Sequence, residues 1–291
     1  MNTPPGRELD KRRVAQHFAS AAPDYEDHDA LQREVATRLV ERLDYVNIDV
    51  ERVLDIGCGT GRLGRLITPR YRHSLIVESD LAVPMLQHAR SRAPRWFSRH
   101  RHVCADAERL PFAPGRFDLV LSSLALQWCE NLPEVFAGTR RALRDGGLFL
   151  FTTLGPDTLR ELRAAFAASS ATAHVNRFID MHDIGDLLGH AGFADPVMET
   201  EYLTVEYPDV LALMRDLKGI GASNARNDRA RGLFGPRRLR AVTAAYEQHR
   251  RHGQLPATYE VIYGHAWAAA PRRTKSATEQ YFPLDRLRKR S

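Results

Sequence analysis

The sequence predicts a doubly wound α/β fold, in which helices cover both faces of a mainly parallel sheet. From residue 51 onward, short apolar runs typical of strands alternate with helical patterns, and a glycine-rich segment directly follows the first run. No apolar run approaches the ~20 residues that a membrane-spanning helix needs, so no membrane association is expected. We therefore expect a soluble globular protein with a helical cap before the sheet and a helical insertion near the C-terminus.

The N-terminal cap is predicted to cover residues 1–50. Apolar residues recur at a spacing of three and four over residues 12–19 and 31–43, which indicates two amphipathic helices. A polar link over residues 22–29 joins them.

The core of the sheet is predicted over residues 51–154. Its first strand is the buried run at residues 53–56, and a helical pattern follows at residues 63–71. Asp145, Gly146 and Gly147 indicate a turn before the last strand of this region. The other strands are predicted at residues 74–77, 102–104, 117–123 and 148–153, with helices at 82–92 and 132–143.

The rest of the chain, residues 155–270, is expected to form a substrate-side region that completes a single domain over residues 1–270. Helices of an insertion spanning about residues 208–252 separate two strand-like segments. The basic tail, residues 271–291, has little apolar periodicity and is expected to be mobile. The predicted elements are helices at 157–168, 182–191, 208–217 and 236–250, and strands at 197–207 and 259–267.

Lysine and arginine outnumber the acidic residues by 42 to 36, which gives a formal charge of +6. This charge favours an acidic partner, although an evenly charged, solvated surface is the plainer interpretation. Nucleic acid, acidic protein and acidic metabolite are all still open as partners at this point.

The cysteines and the N-terminus indicate the compartment. Cys58, Cys104 and Cys129 are widely spaced and form no C-x-x-C pair, so we expect reduced thiols and no metal site. Residues 1–10 contain no apolar segment and include acidic side chains, which argues against a secretory signal or a transit peptide. A cytoplasmic location is therefore expected.

Three glycines, Gly57, Gly59 and Gly61, stand at the carboxyl end of the first strand, where open α/β sheets bind ligands. Asp80 ends the second strand, where a carboxylate can accept hydrogen bonds from both hydroxyls of a ribose. Asp106 follows the third strand, from which its side chain could reach an adenine amino group. The three strand ends thus predict a site for a nucleoside-like ligand.

The glycine segment also allows a dinucleotide site or a simple turn. Residues 59–64 match the G-x-G-x-x-G pattern of dinucleotide sites, but Asp55 would repel a diphosphate and suits a ligand that carries a sulfonium and an ammonium. If the glycines only make a tight turn, Asp80 and Asp106 are left without a role.

With these residues, the chain resembles the class I S-adenosylmethionine (SAM)-dependent methyltransferases and their doubly wound, Rossmann-like sheet. Residues 55–61, Asp80, Asp106 and residues 117–120 carry this broad resemblance. Over almost its whole length the chain is similar, more narrowly, to the malonyl-[acyl-carrier protein] O-methyltransferases of biotin synthesis. The narrow resemblance rests on residues 18–28, 31–33, 126–129, 151–154, 158–162, 174–178, 217–222, 232–233 and 255–260.

The resemblance implies a reaction and a cofactor site. SAM would be the co-substrate, and the free carboxylate of a malonyl thioester on acyl-carrier protein would attack its methyl group, giving the methyl ester that primes pimeloyl synthesis. A carboxylate is already ionised at neutral pH, so no general base is expected. The residues predicted to bind the co-substrate are Asp55, Gly57, Gly59, Gly61, Asp80 and Asp106.

Four further residues are candidates for positioning the substrate. A guanidinium matches a carboxylate bidentately, and Arg177 in residues 174–178 and Arg215 in residues 213–218 both lie in segments that are specific to the narrow family. The sequence does not choose between them, and either could be an ordinary surface arginine. Tyr25 could close over the co-substrate or could be a core aromatic, and Gln127 follows the fourth strand, facing the transferred methyl in this fold.

Other functions are still open. Mitochondrial complex I assembly factors, which look like methyltransferases but hydroxylate an arginine, share a Gly-x-Ser-Asn link with residues 221–224, so an arginine hydroxylase or a SAM-binding assembly protein is the alternative. Residues 122–125 read Ser-Ser-Leu-Ala rather than an Asn-Pro-Pro-Tyr-like tetrad, which argues against a nucleic-acid methyltransferase.

An acidic carrier protein would suit basic clusters such as Arg140, Arg141 and Arg144. The sequence does not decide whether the thioester of the carrier protein or of coenzyme A is preferred. It also does not decide the oligomeric state or the role of the tail.

Overall fold

A mixed sheet of seven strands forms the centre of the computed structural model, which describes residues 9–94, 99–169, 178–222 and 235–268. The strands are β1 (Arg52–Ile56), β2 (Leu75–Asp80), β3 (His100–Cys104), β4 (Phe117–Ser123), β5 (Leu143–Leu154), β6 (Ala194–Tyr207) and β7 (Leu255–Ala268). Their spatial order is β3-β2-β1-β4-β5-β7-β6. Strands β1 to β5 pair in parallel, whereas β7 runs antiparallel to both β5 and β6.

Helices pack on both faces of this sheet. They are α1 (Lys11–Ala21), α2 (Ala30–Glu41), α3 (Arg62–Ile67), α4 (Val83–Arg92), α5 (Leu132–Ala142), α6 (Arg160–Ser169), α7 (Met181–His190), α8 (Val210–Gly219) and α9 (Pro236–Glu247). Val53 belongs to one apolar cluster and its neighbour Leu54 to the other, because successive side chains of a strand point to opposite faces. Burial of both faces explains the continuous apolar runs, and the predicted fold class is confirmed.

Several elements differ in detail from the sequence expectation. Residues 145–147 do not separate a helix from a strand, because β5 already begins at Leu143 and a register shift against β4 accommodates the extra residues. Helix α6 begins at Arg160 rather than residue 157, since Leu159 has a φ of 55° and its N–H donates to the Thr258 carbonyl. The link between α1 and α2 contains a 3-10 turn, Tyr25–Asp27.

Helices α8 and α9 lie between β6 and β7 in the chain, within the region predicted as an insertion. Residues 223–234 between these helices and the predicted basic tail lie outside the described residues. Within the described ranges, no helix combines the length and the apolar character that crossing a bilayer requires.

Asp118, near the start of β4, ties the end of the cap to the sheet. Its Oδ2 accepts hydrogen bonds from the N–H groups of Glu51 and Arg52 at 2.9 and 2.8 Å, and Arg144 pairs with Oδ1. Burial raises the pKa of this carboxyl, but Arg144 and the two N–H groups outweigh burial and hold the pKa below its ordinary value of 3.8.

We expect Asp118→Asn to lower the free energy of unfolding by about 2 kcal/mol at pH 7, because hydrogen bonds to a charged acceptor are lost. The folded-state pKa lies below the unfolded value, so the contribution of Asp118 is complete above pH ~4 and is lost as the pH falls through the folded pKa. Urea unfolding of the variant and the parent at pH 7 and pH 3 measures both effects. A difference that stayed equal at the two pH values would contradict this account.

Candidate functional site

Three adjoining cavities lie at the carboxyl ends of β1, β2 and β4, the edge where open α/β sheets bind ligands. The first cavity has a volume of about 790 Å³ and includes Asp80 and Asp106 in its wall. The second, of about 780 Å³, lies beside Gln127 and is mostly apolar. The third, of about 410 Å³, lies between the glycine segment and the cap and includes Asp55. Tyr25 lines all three, so the cap takes part in each cavity.

The glycine segment brings backbone rather than side chains to the cavities. Gly57 has a φ of 71°, and a Cβ there would lie 2.3 Å from the Cβ of Ala125. Gly59 lines both the first and the third cavity, and a Cβ there would meet no atom within 4 Å, so its backbone borders open space. Gly61, with a φ of 78°, is the residue before α3. Gly61 lines none of the three cavities, whereas the backbone of Gly57 and Gly59 borders them. That this loop lets a ligand approach the backbone stays a prediction.

Asp80 is held at the end of β2 by the loop itself. The N–H of Gly59 donates to Oδ2 at 2.9 Å and the N–H of Ala82 donates to Oδ1 at 2.8 Å. Burial raises the pKa of this carboxyl above its ordinary value, and these N–H groups partly offset the increase. Each carboxylate oxygen retains a lone pair, so both hydroxyls of a ribose could still be accepted.

Asp106 faces the first cavity together with a lysine that no sequence motif identifies. Lys11, in the first turn of α1, places its Nζ 2.6 Å from Asp106 Oδ2 and 2.6 Å from Glu108 Oε2. Lys11 also lines the first cavity. These partners are about a hundred residues away in the chain, so no local signal identifies the contact.

Asp55 is fully buried, and among the described residues neither of its carboxylate oxygens has a hydrogen-bond partner. Burial raises the pKa of Asp55 well above its ordinary value, and the charges of Glu78 and Asp80 raise it further. An unpartnered buried carboxyl beside a cavity is suited to a cationic donor. The ammonium of SAM meets this requirement, so the residues present fit the co-substrate that the resemblance implies.

Ion pairs fasten the cap to the glycine segment. Glu26 Oε1 accepts hydrogen bonds from Thr60 Oγ1 at 2.7 Å and from Arg65 Nη2 at 2.8 Å. Asp29, which is 1% exposed, pairs with Arg62. Glu26 and Asp29 both follow Tyr25 closely in the sequence. Their contacts with Thr60 and Arg62 therefore hold this ring where the cavities meet. In this segment, which is polar in sequence, only Tyr25 was a predicted site residue, and no sequence pattern identified the two acids.

The second cavity is shared by the cap, the sheet edge and the C-terminal end of α8. Gln127 is held in the wall because its Nε2 donates to the Leu124 carbonyl at 2.6 Å and its Oε1 accepts from Thr153 Oγ1 at 3.3 Å. Phe18 packs edge-on against Trp128, with ring centroids 5.3 Å apart. The apolar residues of this cavity include Leu31, Leu124, Leu154, Leu159, Leu162, Phe178, Leu217 and Ile220.

The structure does not bring Arg215 to these cavities. Its side chain is exposed, and its Nε donates to the Leu211 carbonyl at 3.3 Å, one turn earlier in α8. Helical periodicity explains this position, since Leu217 and Ile220 face the second cavity while Arg215 and Lys218 face outward. Arg177, the other candidate for holding a carboxylate, lies outside the described residues, although the next residue, Phe178, lines the second cavity.

The basic cluster at residues 140–144 is engaged in local contacts. Arg140 pairs with Asp145 at 3.1 Å, Arg141 donates to the Leu110 carbonyl, and Arg144 pairs with Asp118. These contacts lie beside the amino ends of β4 and β5, whereas the cavities lie at the carboxyl ends. The cluster is therefore not part of the rim of the site. Across the described ranges, no group of three metal-ligating side chains is found.

Comparison with known proteins identifies the type of domain and several similar proteins. A family model described as "Methyltransferase domain" matches residues 54–151. The malonyl-[acyl-carrier protein] O-methyltransferase of Methylovorus is 51% identical over 89% of this chain and 89% of its own length. The proteins of the same name from Gallionella capsiferriformans and Halorhodospira halophila are 48% and 45% identical, and the alignments cover 91% and 100% of this chain and 93% and 99% of theirs.

Solved structures show the same fold at low identity. The YcgJ protein of Bacillus subtilis superposes with a TM-score of 0.58 at 15% identity, covering 80% of this chain and 98% of its own. A phosphoethanolamine N-methyltransferase of Haemonchus contortus, solved with S-adenosyl-L-methionine, superposes with a TM-score of 0.54 at 17% identity. The superposition covers 87% of this chain and 57% of that protein. These likenesses support the fold class.

Proposed function

Because this chain belongs to the malonyl-[acyl-carrier protein] O-methyltransferase family, we propose that it transfers the methyl group of SAM to the free carboxylate of a malonyl thioester on acyl-carrier protein. One structural observation supports this best. The first cavity, beside Asp80 and Asp106, and the apolar second cavity share Phe18, Tyr25, Leu124 and Trp128 as common walls. A co-substrate and an acyl substrate can therefore meet there.

The co-substrate would be held by the residues at the strand ends. Asp55, Asp80, Asp106 and the backbone of the glycine segment present acceptors and open space to the first and third cavities. When bound, SAM supplies a methyl group on a positively charged sulfonium. The chain itself provides the orientation of this group, which is the main source of catalysis when both reactants are already activated.

The carboxylate needs no proton transfer. An ordinary carboxyl group is ionised at neutral pH, so its oxygen can bond to the methyl carbon as the bond from that carbon to sulfur breaks and its electron pair stays on sulfur. Burial, Asp29 and Asp80 raise the pKa of Tyr25, so its hydroxyl stays protonated and can donate a hydrogen bond but cannot act as a base.

The apolar second cavity suits this reaction. The negative charge of the carboxylate and the positive charge of the sulfonium cancel as the ester forms, so the transition state is less charged than the reactants. An environment with little water favours that change once the carboxylate is held in place.

We propose that Tyr25 and Gln127 position the reactants and that Arg177 holds the carboxylate through a bidentate ion pair.

Arg177→Ala and Arg215→Ala form a matched pair that tests this assignment. We expect Arg177→Ala to lower kcat/KM for malonyl-[acyl-carrier protein] by about 100-fold, since truncating one partner of a charge pair costs 2–5 kcal/mol. Arg215→Ala should leave kcat within about threefold of the parent, because Arg215 is exposed outside the cavities. Steady-state kinetics together with binding of S-adenosylhomocysteine measures both variants. Loss of turnover in Arg215→Ala alone would reverse the assignment.

Transfer of labelled methyl from SAM tests the function directly. Malonyl-[acyl-carrier protein] should become labelled, and acetyl-[acyl-carrier protein], which lacks the free carboxylate, should not. Malonyl coenzyme A in the same assay reports whether the carrier protein is needed. Absence of label on both carrier species, despite cofactor binding, would favour the assembly-protein alternative, which the relatives do not favour. The methyl ester formed would be the primer for pimeloyl synthesis. The cytoplasmic location stays a prediction.

A further inference from the structure

The third cavity has a wall that the known cofactor motifs do not account for. We propose that two side chains of the N-terminal cap, Asp29 and Gln32, bind the α-ammonium of SAM together with Asp55. This inference rests on the proposed function, because it assigns further residues to the co-substrate site. It makes the cap part of that site rather than only a cover over it.

Unpartnered acceptors carry the inference. Asp29 Oδ1, Gln32 Oε1 and both carboxylate oxygens of Asp55 are buried, and none has a hydrogen-bond partner among the described residues. Asp29 and Asp55 are 1% and 0% exposed, and all three residues line the third cavity. Buried acceptors without a donor are costly, so several of them around one cavity indicate a ligand that supplies donors.

An ammonium group suits this set in hydrogen-bond direction and in charge, because it can offer one N–H donor to each of the three residues. It has three N–H donors and no acceptor, and the three residues offer acceptors only at these atoms. Arg62 already pairs with the second carboxylate oxygen of Asp29. Asp55 has no cationic partner among the described residues, and a bound ammonium would favour its ionised form over the neutral form that burial favours. A single positive charge balances that ionised form, whereas a phosphate would be repelled.

The third cavity is also in the right place relative to the first. Tyr25, Gly57, Gly59 and Ser123 line both cavities, so a ligand with its nucleoside beside Asp80 and Asp106 extends past the glycines toward Asp29. No side chain blocks the passage at Gly59, where a Cβ would meet nothing within 4 Å. The pairing of Asp29 with Arg62 and of Glu26 with Thr60 holds the cap acceptors against the glycine segment.

Two ligands separate this role from a structural one. S-Adenosylhomocysteine carries the amino-acid end, and 5′-methylthioadenosine lacks it while keeping the nucleoside and the sulfur. By isothermal titration calorimetry, we expect Gln32→Leu to weaken S-adenosylhomocysteine binding about 10-fold and to leave 5′-methylthioadenosine binding unchanged. Gln16→Leu, on the exposed side of α1, is the matched control and should change neither.

The outcomes are decisive in each direction. Unchanged binding of S-adenosylhomocysteine by Gln32→Leu would overturn the proposal, and so would equal weakening of both ligands, because that pattern indicates a distorted cap. Asp29→Asn provides a second test with the same two ligands and should also weaken only S-adenosylhomocysteine. These binding measurements do not depend on any acyl substrate, so a failure of methyl transfer to malonyl-[acyl-carrier protein] would leave them interpretable.

Discussion

Replacing Gly57 by alanine will reduce the affinity for S-adenosylhomocysteine by about 100-fold. The residue has a φ of 71°, where a side chain costs 1–2 kcal/mol, and its Cβ would lie 2.3 Å from the Cβ of Ala125. The glycine segment or the turn that follows β4 must therefore move. Both line the first cavity, so a shift of either displaces groups that face the co-substrate. Calorimetric titration with S-adenosylhomocysteine measures the loss.

Gly253→Ala is the matched control for this substitution. Gly253 also has a positive φ, of 78°, but a Cβ there would meet no atom within 4 Å, and the residue lies in the turn before β7. It carries the same backbone penalty without the collision and should bind S-adenosylhomocysteine as the parent does. Equal losses in the two variants would contradict this account, because the loss would then not depend on the approach to Ala125.

Tyr25→Ala will lower kcat for malonyl-[acyl-carrier protein] by about 100-fold. The ring of Tyr25 lines all three cavities, so its removal joins them and admits water to the place where the reactants meet. Water stabilises the charged reactants more than the less charged transition state, and it also loosens their alignment. Single-turnover kinetics at saturating co-substrate isolates this step from binding.

Tyr25→Phe separates the ring from the hydroxyl. It retains the apolar body and should keep kcat within about tenfold of the parent if water exclusion dominates. A loss in Tyr25→Phe as large as that in Tyr25→Ala would instead assign the main effect to a hydrogen bond from the protonated hydroxyl. Full activity of Tyr25→Ala would remove this residue from the reaction altogether.

Local sequence was enough to locate the strand-end residues. Asp55, Gly57, Gly59 and Asp80 were predicted because a buried strand followed by glycines, and a second strand ending in an acid, bring their ends to one edge of a parallel sheet. The antiparallel direction of β7 between β5 and β6 was not predicted, because strand patterns carry no information on direction.

The cap residues could not be identified in the same way. Lys11 meets Asp106 across 95 positions of sequence, and Glu26 meets Thr60 across 34, so neither contact leaves a local pattern. Asp29 and Gln32 were likewise indistinguishable from solvated polar residues until α2 was docked beside the glycine segment. Arg215 was one of two candidates because its segment carries the narrow resemblance, and the sequence alone could not show that the helical turn directs its side chain away from the cavity that Leu217 lines.

The sequence by itself therefore determined the fold class, the family, and the edge of the sheet at which the cavities lie. Those features follow from hydrophobic periodicity and from motifs in which the interacting residues are close in the chain. Only the tertiary structure decided how the cap closes the cavities, which acids lack partners, and which arginines face the solvent. These depend on how helices pack against the sheet, and packing joins residues whose separation in sequence is arbitrary.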